Sequence, residues 1–322
     1  MRVGLDVSPF DQTRAGTARY IEGIGALEAI ELVRLGHRGS GRLATVYRDA
    51  WWYPISLARL ARRERLDVLH CPTFRGPISP PPMPLVVTVH DLAVLRHPEA
   101  FNLWTRRYSR LCVPRVVRAA SRIVAVSEFT KHELVELLGT PSGKVTVIPN
   151  GVAEVFLPDG PAAEGDYVLS VGTLEPRKNL DRVREAARLA GAELRVVGAR
   201  GWGGVEAVGW LGRVSDDELA RLYRGAKCVV YASLYEGFGL PIAEAMACGT
   251  PVVTSVGGAT EETAGGAAVL VDPYDPAAIA AGIAEAVERR AELRGLGLER
   301  ARAFSWAAAA RATADVYLDL AA

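Results

Sequence analysis

Short apolar runs recur along this chain, each followed by a turn and then by a stretch with helical spacing. In the first half the runs at 3–7, 67–69, 85–89, 122–126 and 144–148 are short, and most lack a clean polar alternation. Strands covered on both faces have this signature. Helical spacing between them predicts helices over 16–30, 54–65, 102–119 and 128–138. Ser127 stands where it can cap the first-turn amides of the last one.

Near residues 150–165 the pattern breaks. Pro149-Asn-Gly is a turn, and Leu157-Pro-Asp-Gly-Pro is a linker. The rhythm then restarts, with strands expected at 167–171, 194–197, 227–231, 250–254 and 267–271. Helices are expected at 179–190, 215–223, 241–247 and 276–289. Alternating strands and helices form parallel sheets with right-handed crossovers, so two such blocks predict an α/β protein of two doubly wound domains. The expected domains are 1–158 and 159–303. The segment from residue 304 reads as a helix with aromatic anchors that packs locally or returns to the first domain.

The 322 residues, 49% apolar and 23% charged, suit a soluble two-domain protein. No apolar run is long enough for a spanning helix. The first residues enter a strand pattern at once, without the charged start and apolar block of a leader, so a cytoplasmic location is expected. Cys71, Cys112, Cys228 and Cys248 lack metal or disulfide spacing and read as buried thiols. Net charge is +1 but uneven. Residues 1–158 hold 21 Arg and Lys against 14 Asp and Glu, and the remainder holds 17 against 23. A basic first half suits an anionic acceptor or an anionic membrane, unless arginine is simply the default surface cation here. The segment 102–119, with Trp104, Arg106, Arg107, Tyr108, Arg110, Arg115 and Arg118, is amphipathic and basic. It reads equally as a peripheral membrane contact or as an ordinary surface helix.

In open parallel sheets ligands bind beyond the C-terminal strand ends, and the candidate chemistry sits there. The most specific stretch runs from Ser233 to Val253 and includes Glu236-Gly-Phe-Gly-Leu-Pro-Ile-Ala-Glu244. A glycine-broken loop leads into Pro241, where a helix begins. The amides of Phe238, Gly239 and Leu240 thereby become a helix N-terminal anion site. Glu236 in the loop and Glu244, expected in the first helical turn, add acceptors for ribose or sugar hydroxyls. Two surface glutamates are the plain alternative. The second stretch is Gly172-Thr-Leu-Glu-Pro-Arg177-Lys178-Asn179. Two cations at a helix start oppose the helix dipole, which makes sense if an anion binds there; a solvated basic pair is the alternative. Gly16, after the first strand, permits a close backbone approach by phosphate or simply makes a turn. His90 in Val87-Thr-Val-His-Asp-Leu follows a strand, and its plain reading is a histidine satisfied by local backbone. The other histidines carry no functional expectation.

A G-x-G-x-x-G turn after the first strand, a Walker A loop and a G-x-S-x-G elbow are all missing from the sequence, as is any Asp-x-Asp pair for a divalent metal. Neither a cofactor nor a metal is therefore expected, and a diphosphate leaving group would be neutralised by Arg177, Lys178 and the helix N-terminus.

With these residues the chain resembles glycosyltransferase family 4, the retaining enzymes of GT-B fold, from its first strand to its final helix. The resemblance implies two Rossmann-like domains with a nucleotide sugar held in the cleft between them. It also implies a crossing helix at 304–322 that completes the first, acceptor-side domain. Glu236 and Glu244 meet the family's spaced pair of glutamates, implying contacts to the donor sugar and to the ribose. GTLEPRKN is similar to the phosphate-binding segment, making Gly172, Arg177 and Lys178 donor ligands, although Thr173 stands where many members have arginine. AGTARY resembles the first glycine-rich loop, with Ala18 replacing a second glycine. His90 matches the histidine that touches a sugar hydroxyl. GATEETAGGAAVLVDPYD is similar to the mannosyltransferase-like branch.

The expected protein is thus a metal-independent retaining hexosyltransferase of cell-envelope glycan biosynthesis. It would use GDP-mannose or a UDP-sugar and a glycan, glycolipid or small-molecule acceptor, with no nucleic acid partner. Domain closure would bring Gly16 and His90 onto a donor held mainly by the second domain. A sugar-nucleotide epimerase, a phosphorylase of the same architecture and a non-catalytic nucleotide-sugar binder are the rivals.

Overall fold

The structure is a computed structural model that describes the chain except residues 12–15, 26–29, 38, 40, 207 and 322. It divides into two compact units. One comprises Met1–Gly151 with Trp306–Ala322, and the other is Val152–Ser305.

The first unit contains β1 (Arg2–Asp6), α1 (Gly16–Ile24), β2 (Glu31–Leu35), α2 (Arg42–Tyr47), α3 (Leu57–Arg63), β3 (Val68–Cys71), β4 (Leu85–Val89), α4 (Ala93–Arg96), α5 (Leu103–Ala119), β5 (Arg122–Ala125), α6 (Glu128–Leu138) and β6 (Val145–Val147). Its strands form one parallel sheet in the order β2-β1-β3-β4-β5-β6. β3 and β4 are buried at every position, as their mainly apolar sequences without polar alternation imply. The final helix of the chain, Trp306–Ala321, lies in this unit and buries Ala309, Val316 and Tyr317 in one apolar cluster with Val3, Val68, Val86 and Val124. Gly151 allows that helix to start close by. A Cβ there would lie 2.2 Å from the Trp306 backbone nitrogen.

The second unit contains β7 (Tyr167–Val171), α7 (Leu180–Leu189), β8 (Glu193–Val197), β9 (Trp210–Gly212), α8 (Asp216–Gly225), β10 (Val229–Tyr231), α9 (Leu240–Ala247), β11 (Val252–Ser255), α10 (Gly258–Ala264), β12 (Val269–Val271), α11 (Pro276–Glu288) and α12 (Arg290–Ala301); the final helix is therefore α13. All pairings are parallel, in the order β12-β11-β10-β7-β8-β9.

Several expectations change. The helix expected over 16–30 ends at Ile24, and Glu31–Leu35 is an edge strand. That strand is short and only its last residue is buried, so it lacks an apolar run to betray it. The helix expected from Pro54 begins at Arg42 and passes through a π-helical stretch, Arg48–Ser56, that contains Pro54. The wider turn accommodates a proline, which has no N–H and would crowd the preceding turn of an α-helix. β9, α10 and α12 were not expected either.

Candidate functional site

The second sheet changes direction between β7 and β10. The chain runs outward from β7 to β8 and β9, then returns to β10 on the other side. Such a switch point, beyond the C-terminal strand ends, is where open parallel sheets place a ligand crevice. Both strongest sequence motifs lie on those loops.

After β7 the chain makes a 3-10 turn, Pro176–Lys178, so Arg177 and Lys178 precede α7 rather than open it. Asn179 is buried with a left-handed φ of 60°, a costly conformation that its amide holds in place. Asn179 Nδ2 donates to the Ala232 carbonyl at 2.9 Å and the Pro273 carbonyl at 2.7 Å. Leu234 N donates to the Arg177 carbonyl at 2.9 Å. The loop after β7 is thereby fastened to the loops after β10 and β12.

These links bring Arg177, Lys178 and Glu236 together. Glu236 Oε2 lies 3.0 Å from Arg177 Nη1, and Glu236 Oε1 accepts from Lys178 Nζ at 2.6 Å. Arg177 also pairs with Glu175 at 2.7 Å and donates to the Tyr235 carbonyl at 2.6 Å. Lys178 donates to Tyr231 Oη at 2.7 Å, which uses a second of its three protons. Its aliphatic stem crosses Gly172, where a Cβ would come within 3.1 Å of Lys178 Cδ. Burial alone would push the Glu236 carboxyl up, but the charges of Arg177 and Lys178, with the hydrogen bond from Lys178, outweigh it and hold the pKa at about 2. Burial lowers the Lys178 pKa against the opposing pull of Glu236. At neutral pH the carboxylate is charged, and it fixes two cations that are each mostly buried yet reachable, with side chains 17% and 13% exposed.

Next to this cluster α9 begins at Leu240, with Gly239 as N-cap at φ 98° and no side-chain cap. Pro241 in the first turn has no N–H, so the outward-facing donors are backbone amides at a positively polarised helix end. The Phe238 carbonyl accepts from Thr263 Oγ1 at 2.5 Å, and its ring meets Phe304 edge-on at 5.3 Å. Those contacts hold the approach of Phe238, Gly239 and Leu240. Glu244 lies beyond the first turn, correcting the expected placement. It is buried, and Tyr223 Oη donates to its Oε2 at 3.0 Å.

Gly16 and His90 belong to the first unit. Gly16 opens α1, while 12–15 of its loop lie outside the described residues. His90 follows β4, and its Nε2 lies 3.0 Å from the Pro72 carbonyl. A carbonyl only accepts, so Nε2 carries the hydrogen and Nδ1 presents a lone pair able to accept from a hydroxyl. Burial lowers the His90 pKa and keeps the ring neutral. Tyr20 of α1 packs edge-on against it at 4.9 Å. Tyr20 Oη is hydrogen-bonded to Thr88, Thr88 to His70 Nε2, and His70 Nδ1 to Tyr317 of α13.

Sequence reasoning missed Glu175, Asn179, Tyr223 and Tyr231. Glu175 and Asn179 sat inside a quoted motif. Tyr231 ends a strand, which is the only local signal it had. Tyr223 reaches Glu244 from α8, and nothing nearby in the sequence marks it.

Residues 4–154 match the family described as Glycosyltransferase Family 4, and residues 158–304 match Glycosyl transferases group 1. The chain is 33% identical over 264 residues to O-antigen chain mannosyltransferase B of Escherichia coli, covering 72% of this chain and 69% of that protein. It is 36% identical over 243 residues to D-inositol 3-phosphate glycosyltransferase 2 of Catenulispora acidiphila, covering 63% of this chain but only 57% of that relative. Among solved structures, Anabaena HepE in complex with UDP and glucose superposes with a TM-score of 0.76 at 19% identity, covering 99% of this chain and 100% of the other.

Proposed function

The chain belongs to the family 4 glycosyltransferases, with the GT-B fold, and from that premise we propose that it transfers a hexose from a nucleotide-diphosphate sugar to an acceptor hydroxyl. The observation that carries this reading is the convergence of Arg177, Lys178 and Glu236 on the loops beside the β7–β10 switch point, next to the uncapped start of α9.

The diphosphate lies against Arg177, Lys178 and the amides around Gly239, which neutralise it as it leaves without a divalent metal. Glu236 orients both cations and meets the sugar, Glu244 meets the ribose, and Gly172 clears the backbone beside Lys178. The bond from the anomeric carbon to the phosphate oxygen breaks. A bond to the acceptor oxygen forms on the same face, and the acceptor proton passes to the departing phosphate. Configuration is thereby retained. Gly16 approaches the donor phosphate, and His90 accepts a hydrogen bond from a sugar hydroxyl through Nδ1.

GDP-mannose is the leading donor and a UDP-sugar the second. The named mannosyltransferase relative favours the first. The UDP bound to HepE favours the second. The acceptor is a glycan, glycolipid or small molecule, met at the cytoplasmic face.

A thermal-shift series with UDP, GDP and their sugars tests the reading, because a ligand that binds only the folded protein raises its midpoint. A diphosphate that stabilises wild type without added magnesium but fails to stabilise Arg177→Ala supports it. Equal stabilisation of both proteins, or a strict need for magnesium, overturns it.

A further inference from the structure

The surface beside α2 and α5 carries an apolar stripe next to a basic face. Leu43, Val46, Tyr47, Ala50 and Trp51 recur at helical spacing and are all exposed, Leu43 at 88% and Trp51 at 48%. Soluble surfaces seldom leave such a run uncovered. On α5 the exposed arc holds Leu103 at 67% and Leu111 at 57%, interleaved with Arg106, Arg107, Arg110, Arg115 and Arg118. The helix contains no acidic residue, and among the described residues none of these five arginines pairs with a carboxylate. The two elements are pinned together. Trp104 Nε1 donates to Asp49 Oδ2 at 3.0 Å, and buried Asp49 lies between the exposed turns of the stripe. Half-exposed Trp104 therefore borders the stripe on the arginine side.

We infer that this face of the first unit docks on an anionic lipid bilayer. Leucine and tryptophan side chains enter the headgroup boundary while arginine stems lie along it with their charges on lipid phosphates. A second copy is a poor occupant, because a self-complementary dimer would set the same unpaired arginines against one another. The contact is peripheral, since no helix among the described residues is long and apolar enough to cross a membrane. This inference is independent of the proposed reaction. It would place the protein where an acceptor carried on a lipid is presented.

Flotation of the full chain with vesicles tests it, using phosphatidylcholine alone and phosphatidylcholine mixed with phosphatidylglycerol. Wild type should float with the anionic vesicles and be released by high salt. Arg107→Glu with Arg110→Glu should lower that partitioning by about tenfold or more, and Leu43→Ser with Trp51→Ser should lower it comparably. Nucleotide-diphosphate thermal shifts, read without vesicles, should stay as in wild type for both variants, which separates this test from that of the donor site. Wild-type protein that ignores vesicles, or binds neutral and anionic ones alike, overturns the inference. So does concentration-dependent self-association that Leu43→Ser with Trp51→Ser abolishes.

Discussion

Lys178 Nζ sits 2.6 Å from Glu236 Oε1, across a link between loops that are 58 residues apart in sequence. The other oxygen of the same carboxylate faces Arg177. Glu236→Gln keeps the shape but removes the charge, leaving two largely buried cations side by side. Breaking a buried pair in this way costs about 3 kcal/mol of stability. Turnover should fall by about a hundredfold or more, because the cations lose their alignment for the leaving group. Urea denaturation and donor-consumption rates measure the two effects separately. Near-native turnover would remove Glu236 from the site.

His70 Nδ1 and Tyr317 Oη are 2.5 Å apart, joining the first sheet to the last helix of the chain. Burial, reinforced by His90, lowers the His70 pKa to about 3, so the ring is neutral in the folded protein. The unfolded chain takes up a proton near the ordinary histidine pKa of about 6.5, whereas the folded one does not until about 3. Stability contributed by His70 is thus full above that ordinary value and falls with pH through the window, by at most about 1.4 kcal/mol per pH unit. His70→Gln should flatten this slope in urea melts between pH 6 and 4. Tyr317→Phe should cost about 2 kcal/mol at neutral pH by leaving His70 Nδ1 buried without a partner, and it should speed amide exchange in α13 first.

The doubly wound plan was legible because most of its strands are short, mainly apolar runs without clean polar alternation, as at Leu85–Val89 and Tyr167–Val171, where the expected bounds and the observed ones agree. The edge strand Glu31–Leu35 was not, since an exposed edge needs no apolar run. At the site, Arg177, Lys178 and Glu236 could be picked out because glycines, a proline and a strand end surround them. What holds them was hidden. Asn179 grips carbonyls 53 and 94 residues away, and Tyr223 reaches Glu244 from another helix. Such links are set by how the sheet winds, so local spacing carries no trace of them.

Gly198 supports the same loops from behind. It follows β8 with φ 153°, and a Cβ there would sit 1.9 Å from the Gly172 carbonyl oxygen. Gly198→Ala must push the loop after β7 away from its seat, because the obstacle is backbone. The expected result is a loss of about 2–4 kcal/mol in stability, with nucleotide-diphosphate binding weakened beyond what the lower midpoint explains. Gly191→Ala serves as a control. It also has a positive φ, of 64°, but nothing within 4 Å of a Cβ, so it should cost only about 1 kcal/mol and leave binding intact.

Asp6 is fully buried at the end of β1, where Ser8 donates to its Oδ1 through both N and Oγ, at 3.1 and 2.6 Å. Oδ2 has no donor in hydrogen-bonding geometry. Burial raises the pKa from 3.8 to about 6, against the lowering influence of Ser8, Trp52 and Tyr53. The folded protein therefore holds this proton more tightly than the unfolded chain does. The stability contributed by Asp6 therefore falls as pH rises from about 4 to about 6 and stays lower above that. Asp6→Asn keeps an acceptor for Ser8 and removes the buried charge. At pH 7 it should raise stability by up to about 3 kcal/mol, the equivalent of the full shift. At pH 4 the gain should nearly vanish, since the native carboxyl is then protonated. Urea midpoints at the two pH values decide the matter. A variant that is less stable than wild type at pH 7 would mean that the anion itself is needed at the end of β1.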